Sequence, residues 1–491
     1  MSDSPPYEVI IGLEVHTQLA TRTKLFCRCS TQYGASPNTQ TCPVCLGLPG
    51  SLPVMNRKAH QLALKTACAL NLEIPNFTKW DRKNYYYPDL PKGYQVSQYD
   101  LPMSQDGFLE ISDPKGRFKP KKVGITRAHL EEDAGKSMHD EAAGKADSRI
   151  DLNRTGTPLL EIVSEPDMRS SLEAKAYLTE LRLILVYLGV SDCNMQEGSL
   201  RVDANVNLHM MVDGKKIATP IVEIKNMNSF RAVERALEYE AKRQYEVWQE
   251  TGKTIGDMPK QTRGWDDQAQ ITRGQREKEE SSDYRYFPEP DLAPVVVQPE
   301  EIERVKSELG ELPQQIRERL EAAYTIPAYD ADVIVNQAQS TVTYFETLAQ
   351  SAGDGKLASN WVQQDVLRIL KDRQIEIEQF PISAERLTGL LKAIQGKEID
   401  TTRAKDVFTA MLDSDQTAEQ IMAEMGIEKV DDSALENLCR ELLEANPKIV
   451  EDLKNGVQKA VGALIGQAKK KNPNIDPGEL RAKCMELVQT M

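Results

Sequence analysis

The 491-residue chain has no apolar run long enough to cross a bilayer. Its most apolar stretch, Leu181 to Val190, is interrupted by Arg182 and falls far short of the roughly 20 residues a spanning helix needs. The start, Met1-Ser2-Asp3-Ser4-Pro5-Pro6, carries neither a basic nor an apolar signal segment, so no secretory signal is expected. Positive charge is not in excess either: 61 Lys and Arg stand against 75 Asp and Glu, a formal net charge of −14. That argues against broad, non-specific nucleic-acid binding, though not against a local basic patch. A disulfide framework is also missing. Cys68, Cys193, Cys439 and Cys484 are scattered singly, which is intracellular usage, and a cytoplasmic location is expected. Cys68 and Cys484 lie in helical stretches and read as core fillers. Nor is there a P-loop, because Leu130 stands where the glycine five positions before Gly135-Lys136-Ser137 would have to be.

What the chain does contain is two sets of metal-type ligands close to its start. Cys27-Arg28-Cys29 is followed after twelve residues by Cys42-Pro43-Val44-Cys45. Four thiolates in two close pairs can close a tetrahedral Zn²⁺ shell, and a shell with no open position is structural. The other set is Glu14 and His16, at the end of an alternating run. Val9, Ile11, Leu13 and Val15 fall on one strand face; Glu8, Ile10, Glu14 and His16 fall on the other. Glu14 and His16 therefore sit side by side, roughly 7 Å apart along the strand. Their oxygen and nitrogen donors suit a hard cation and phosphate.

Residues 1 to about 295 read as a mixed, mostly antiparallel α+β domain of short alternating runs. Between Arg201 and Leu208, Val202, Ala204, Val206 and Leu208 face a core, while Arg201, Asp203, Asn205 and Asn207 line the opposite side. With Glu223 and Lys225 on a later strand, these faces describe a sheet with a polar concave side, a cradle. Ser170-Ser171-Leu172-Glu173 is a capping box opening a helix through Leu178, Leu181, Leu185 and Leu188. Another helix is expected from about Arg231 to Gln249. A Pro-rich linker near 292–298 leads to a helical domain (296–412) and a helical tail (413–491). Residues 447–491 hold eight Lys and Arg against five Asp and Glu. In that tail one long helix is expected to close on Lys469-Lys470-Lys471, whose cations suit either a helix C-terminus or a nucleic-acid backbone.

Two further segments supply carboxylates, His129-Leu130-Glu131-Glu132-Asp133-Ala134-Gly135-Lys136-Ser137 and the run from Asp151 to Glu161. Glu14, Glu132 and Glu161, from three separated strands, are expected to converge on one Mg²⁺.

Six runs then carry a specific resemblance: 11–16, 81–95, 129–137, 151–167, 197–206 and 283–292. They are similar, in order, to the signature segments of the B subunit of the bacterial and organellar tRNA-dependent amidotransferases. The run 456–467 resembles that family's YqeY-type tail. The resemblance implies a glutamine synthetase-like catalytic fold for the first domain and a C–N bond-forming ligase activity. ATP would phosphorylate the side-chain carboxylate of Glu on tRNA(Gln) or Asp on tRNA(Asn), and ammonia from glutamine would displace the phosphate. It also implies a heterotrimer with an amidase A subunit and a small C subunit. The chain lacks a Gly-Ser-Ser-Gly amidase loop, so a separate amidase is expected.

By motif, Glu14, Glu132 and Glu161 match the Mg²⁺ ligands with His16 beside them, and Lys83 matches a charged residue at the mouth of the ammonia channel. Arg82, Arg154 and Arg201, with Asp203 beside Arg201, are the residues expected to meet ATP, because phosphoryl transfer needs cations against developing charge. The zinc cysteines occur in only some members; here the set is complete. Thr272 to Glu279 departs from the family's run, so no nucleotide role is assigned to Arg276 or Lys278. The rival expectation is a non-catalytic, zinc-containing tRNA-binding scaffold.

Overall fold

The computed structural model describes residues 6–139, 148–275, 284–427, 431–455, 458–472 and 474–490; Arg276 and Lys278 lie outside them. The chain forms two compact units, Met1–Pro313 and Gln314–Met491.

The first unit is built on one large sheet. From edge to edge its strands are Ile271–Gly274, Gln261–Asp266, Val222–Lys225, Leu200–Val212, Glu8–Gln18, Pro158–Ser164, Lys121–Glu132 and Ser104–Ile111, with Lys215–Ala218 hairpinned onto Leu200–Val212. Every pairing is antiparallel except that of Val222–Lys225 with Gln261–Asp266. Period-2 alternation decides which face is buried. Ile11, Leu13 and Val15, with Val202, Ala204 and Val206, enter one continuous core, and the intervening polar residues are left on the other side.

Two long helices cover the apolar face. Ser171–Tyr187 starts at Ser170, whose side chain accepts from the Glu173 amide. The Glu173 carboxylate turns to the Arg169 amide and Lys121 rather than completing the box. Phe230–Thr251 is capped by Ser229 and stopped by Gly252 in the left-handed conformation. A small sheet of Phe287–Pro288, Asp81–Asn84 and Tyr94–Ser97 stands apart from the large one. A helix opens at Pro299, and Val297 and Val305 belong to the core of the first unit. Burial of those two residues carries the unit's boundary past the linker to Pro313.

The second unit is helical throughout its described residues. Its tail core is made by Leu442, Leu443, Leu453, Leu464, Leu480 and their neighbours, with Cys439 and Cys484 fully buried among them. Cys68, expected in a core, is only partly buried and packs at the edge of the first unit's core. The single long tail helix is corrected to separate pieces, Pro447–Lys454 and Val461–Lys471. Apolar spacing continues through the break because both pieces pack on the same core. Among the described residues, no helix is long and apolar enough to cross a membrane.

Candidate active site

Four adjacent strands bring one row of polar residues together on the open face of the large sheet. His16 lies opposite Arg201 on one side and Glu161 on the other, and Glu161 lies opposite His129. Glu131 shares the face of His129 because it lies two positions further along the same strand. His16 Nε2 is 3.5 Å from Glu161 Oε2 and 3.9 Å from Glu131 Oε1. Donor atoms of His16, Glu131 and Glu161 all lie within 4.8 Å of one another.

Edges of an octahedral shell with bonds near 2.1 Å are about 3 Å, so a small inward movement of these side chains would seat a divalent cation. Their charges are already coupled. Burial works against an ionised Glu161, yet the His129 and His16 rings hold its carboxyl well below the usual range. Burial likewise opposes an imidazolium at His16, but the Glu161 hydrogen bond and the Glu161 and Glu131 charges raise its pKa.

Cations and aromatic rings frame this cluster. Lys83, from Asp81–Asn84, sits 5.0 Å from the Tyr284 ring and 5.9 Å from the Tyr85 ring. Burial opposes its charge, and the charges of Glu131 and Glu161, with Tyr286, more than offset this and raise its pKa. Arg201 reaches Asp133 at 2.9 Å, where Gln18 also donates at 2.7 Å. One step along the strands, Glu14 accepts from Asn205 at 2.8 Å, and Asp203 pairs with Lys225 at 2.5 Å. The Lys225 ammonium also reaches Glu223 at 3.4 Å.

Several expected site residues are therefore placed differently. Glu132 is not in the cation cluster. Its carboxylate is held by Lys92 and by the Val96 amide, because residue 132 points to the opposite side from 131. Glu131 takes its place, and the alternation in His129-Leu130-Glu131-Glu132 already carried that distinction. Glu14 stays on the polar face but outside the tight group. Arg82 makes its contacts elsewhere. It points away from Lys83 into a two-pronged pair with Glu289, at 2.6 and 2.7 Å, and lies 4.2 Å from the Tyr94 ring. Arg154 donates to the carbonyls of Ala134 and Gly135 and lies 3.6 Å from Asp133, so it braces the loop after the Lys121–Glu132 strand. His129, read only as part of a run, proves to be a member of the row.

The cysteines close into a second centre. Cys27, Cys29, Cys42 and Cys45 have sulfurs within 4.8 Å of one another, and the Cys42 and Cys45 sulfurs are 3.9 Å apart. Tetrahedral zinc with 2.3 Å bonds requires sulfur separations of about 3.8 Å, so the set fits Zn²⁺. The Cys45 thiol is pushed down to about 5, first by hydrogen bonding from Cys27 and also by Lys24, against the effect of burial.

Residues 9–303 match the family described as the GatB/GatE catalytic domain, so the region that carries the large sheet is a domain of that class. Residues 343–486 match the GatB domain. The chain is 61% identical over 486 residues to a Rhodopirellula baltica protein named as the B subunit of aspartyl/glutamyl-tRNA(Asn/Gln) amidotransferase, covering 99% of this chain and 98% of that one. A Moorella thermoacetica protein of the same name is 49% identical over 466 residues, covering 94% and 96%. The chain belongs to the family of amidotransferase B subunits.

Proposed function

We propose that the polar sheet face performs the ATP-dependent amidation of Glu-tRNA(Gln), Asp-tRNA(Asn) or both. The observation that carries this reading is the convergence of His16, Glu131 and Glu161 from three strands, with Lys83 facing the same carboxylates. Bound there, Mg²⁺ would neutralise charge on the transferring phosphoryl group. His16, Glu131 and Glu161 hold the ion, while Arg201 and Lys225 supply further positive charge to the floor of the cradle. One side-chain oxygen of the esterified Glu or Asp attacks the γ-phosphorus of ATP, and ADP leaves. Ammonia then attacks the acyl carbon, phosphate departs with the C–O electron pair, and the nitrogen loses a proton. Lys83, half-buried beside the carboxylates among tyrosine rings, is assigned to the mouth through which ammonia would enter.

In this reading the A subunit supplies ammonia and the C subunit completes a heterotrimer. The polar cradle is used as in a glutamine synthetase-like enzyme. The cysteine set holds a structural Zn²⁺, and the helical tail, 413–491, contacts tRNA.

The test uses the purified complex with its amidase. ADP formation should rise on adding Glu-tRNA(Gln) or Asp-tRNA(Asn) and not on adding free glutamate. Glu131→Gln should abolish that response while glutamine hydrolysis persists. A chain serving only as a tRNA-binding scaffold would show neither the response nor its loss.

A further inference from the structure

Two histidines face the same two carboxylates, but their surroundings differ. The His16 side chain is 20% exposed and that of His129 only 4%. His129 Nε2 lies 3.3 Å from Glu161 Oε2 and 3.8 Å from Glu131 Oε2. His16 meets Glu131 through the other oxygen, Oε1. Glu131 is thus shared between the rings, one oxygen to each.

The outer nitrogens decide what each ring can do. His129 Nδ1 is buried and has no hydrogen-bond partner among the described residues. A buried N–H without an acceptor is rarer and more costly than a bare acceptor, so the neutral ring carries its proton on Nε2. There it donates to Glu161. A ring protonated on that side offers no lone pair toward the carboxylates and is not a cation ligand. His16 Nε2, at the open side of the cluster, is free to be one.

We propose that His129 is a positioning residue for the cation site: its Nε2–H fixes the Glu161 carboxylate beside Glu131, whose Oε2 accepts from Ser97 Oγ at 3.4 Å, leaving Oε1 turned to His16. This rests on the reading that His16, Glu131 and Glu161 hold a divalent cation. Outer partners of metal ligands set ligand orientation, and their loss weakens metal affinity by roughly 10- to 100-fold.

The experiment is a Mn²⁺ titration of the full-length chain, loaded beforehand with zinc, followed by the electron paramagnetic resonance of free Mn²⁺. The wild type should bind one Mn²⁺, and His16→Ala should abolish binding. His129→Ala should keep the stoichiometry and weaken affinity by about 10- to 100-fold. His129→Gln should recover most of that loss, because its side-chain amide donates from near the Nε2 position; His129→Asn, which is too short, should not. If His129→Ala does not fold, the Gln and Asn variants carry the same decision. Unchanged affinity in His129→Ala, or equal affinities of the Gln and Asn variants, would overturn the proposal. So would two Mn²⁺ in the wild type with one lost in His129→Ala, which would make His129 a ligand. A wild type that binds no Mn²⁺ would instead overturn the cation reading from which the proposal starts.

Discussion

The Lys24 ammonium lies fully buried, 3.7 Å from the Cys45 sulfur, and donates to the Gln40 carbonyl at 2.7 Å. A zinc ion in four thiolates carries two net negative charges, and Lys24 is placed to offset part of them. It also reaches the Leu152 carbonyl at 3.5 Å, while Gln40 is tied through its amide to Asn153. The cysteine loop is thereby joined to the segment leading into the Pro158–Ser164 strand, which carries Glu161. Gly156 marks the crossing. At φ +82°, it brings the backbone to where a side chain would meet Cys45, Glu132 and Lys24.

Zinc removal is accordingly expected to be felt at the active site. Metal analysis should return about one zinc per chain. Cys42→Ser should lower the melting temperature, and Lys24→Met should speed zinc loss to a chelator by at least about tenfold. Zinc retention in Lys24→Met equal to the wild type would show that the ammonium does not stabilise the site.

Neighbouring glutamates should give opposite phenotypes. Glu131→Gln removes a cation ligand and should cut transamidation by about a hundredfold or more with little change in melting temperature. Glu132→Gln leaves the buried Lys92 ammonium without its counter-charge, a loss of about 3 kcal/mol in stability. Denaturant unfolding and single-turnover amidation, measured on both variants, separate the two effects.

Arg82 should behave as a structural residue. Its partner Glu289 is buried, so Arg82→Ala strands a carboxylate and should lower the denaturation midpoint. The KM for ATP, measured below that midpoint, should stay within about threefold of wild type. A selective rise in that KM would return Arg82 to the nucleotide site.

In the second unit, Asp400 caps the Thr401–Met411 helix by accepting from the Thr402 and Arg403 amides and pairs with Lys469 at 2.7 Å. Burial alone would raise its carboxyl, but Lys469 and the two amides hold it below the ordinary value. A depressed carboxyl adds stability above its unfolded pKa, near 3.9, and that stability is lost as pH falls through the folded value. Asp400→Asn should therefore be less stable than wild type at pH 7, and the gap should close below about pH 4. A gap independent of pH would mean that the Asp400 charge is not its source, since asparagine also caps a helix.

The lysine triplet should divide in the same way. Lys469 and Lys471 are paired with Asp400 and Glu441, whereas Lys470 is exposed with no ion pair among the described residues. Lys470→Ala should weaken tRNA binding and flatten its salt dependence without changing stability; Lys469→Ala should do the reverse. Filter binding at several salt concentrations, set beside thermal melts, distinguishes them.

Local pattern alone determined much of this protein. Period-2 alternation placed Val202, Ala204 and Val206 in the core and Arg201 and Asp203 on the polar face, because a strand admits only two faces. The cysteine spacing gave a four-sulfur set, and the Ser170 helix start followed from capping chemistry. Which polar residues meet was not a local property. Glu131 joins His16 and Glu161 only because three strands distant in sequence pair in one register, and a shift of one residue would put Glu132 there instead. Arg82 points away from the site because Glu289, more than two hundred residues later, captures it. Lys24, a surface residue by composition, is buried because the cysteine loop and the Leu152 segment close over it and supply its hydrogen bonds. The chain's periodicity determined which residues face which way, and tertiary pairing decided which charges become partners, since a charge's energy depends on distances no local pattern contains.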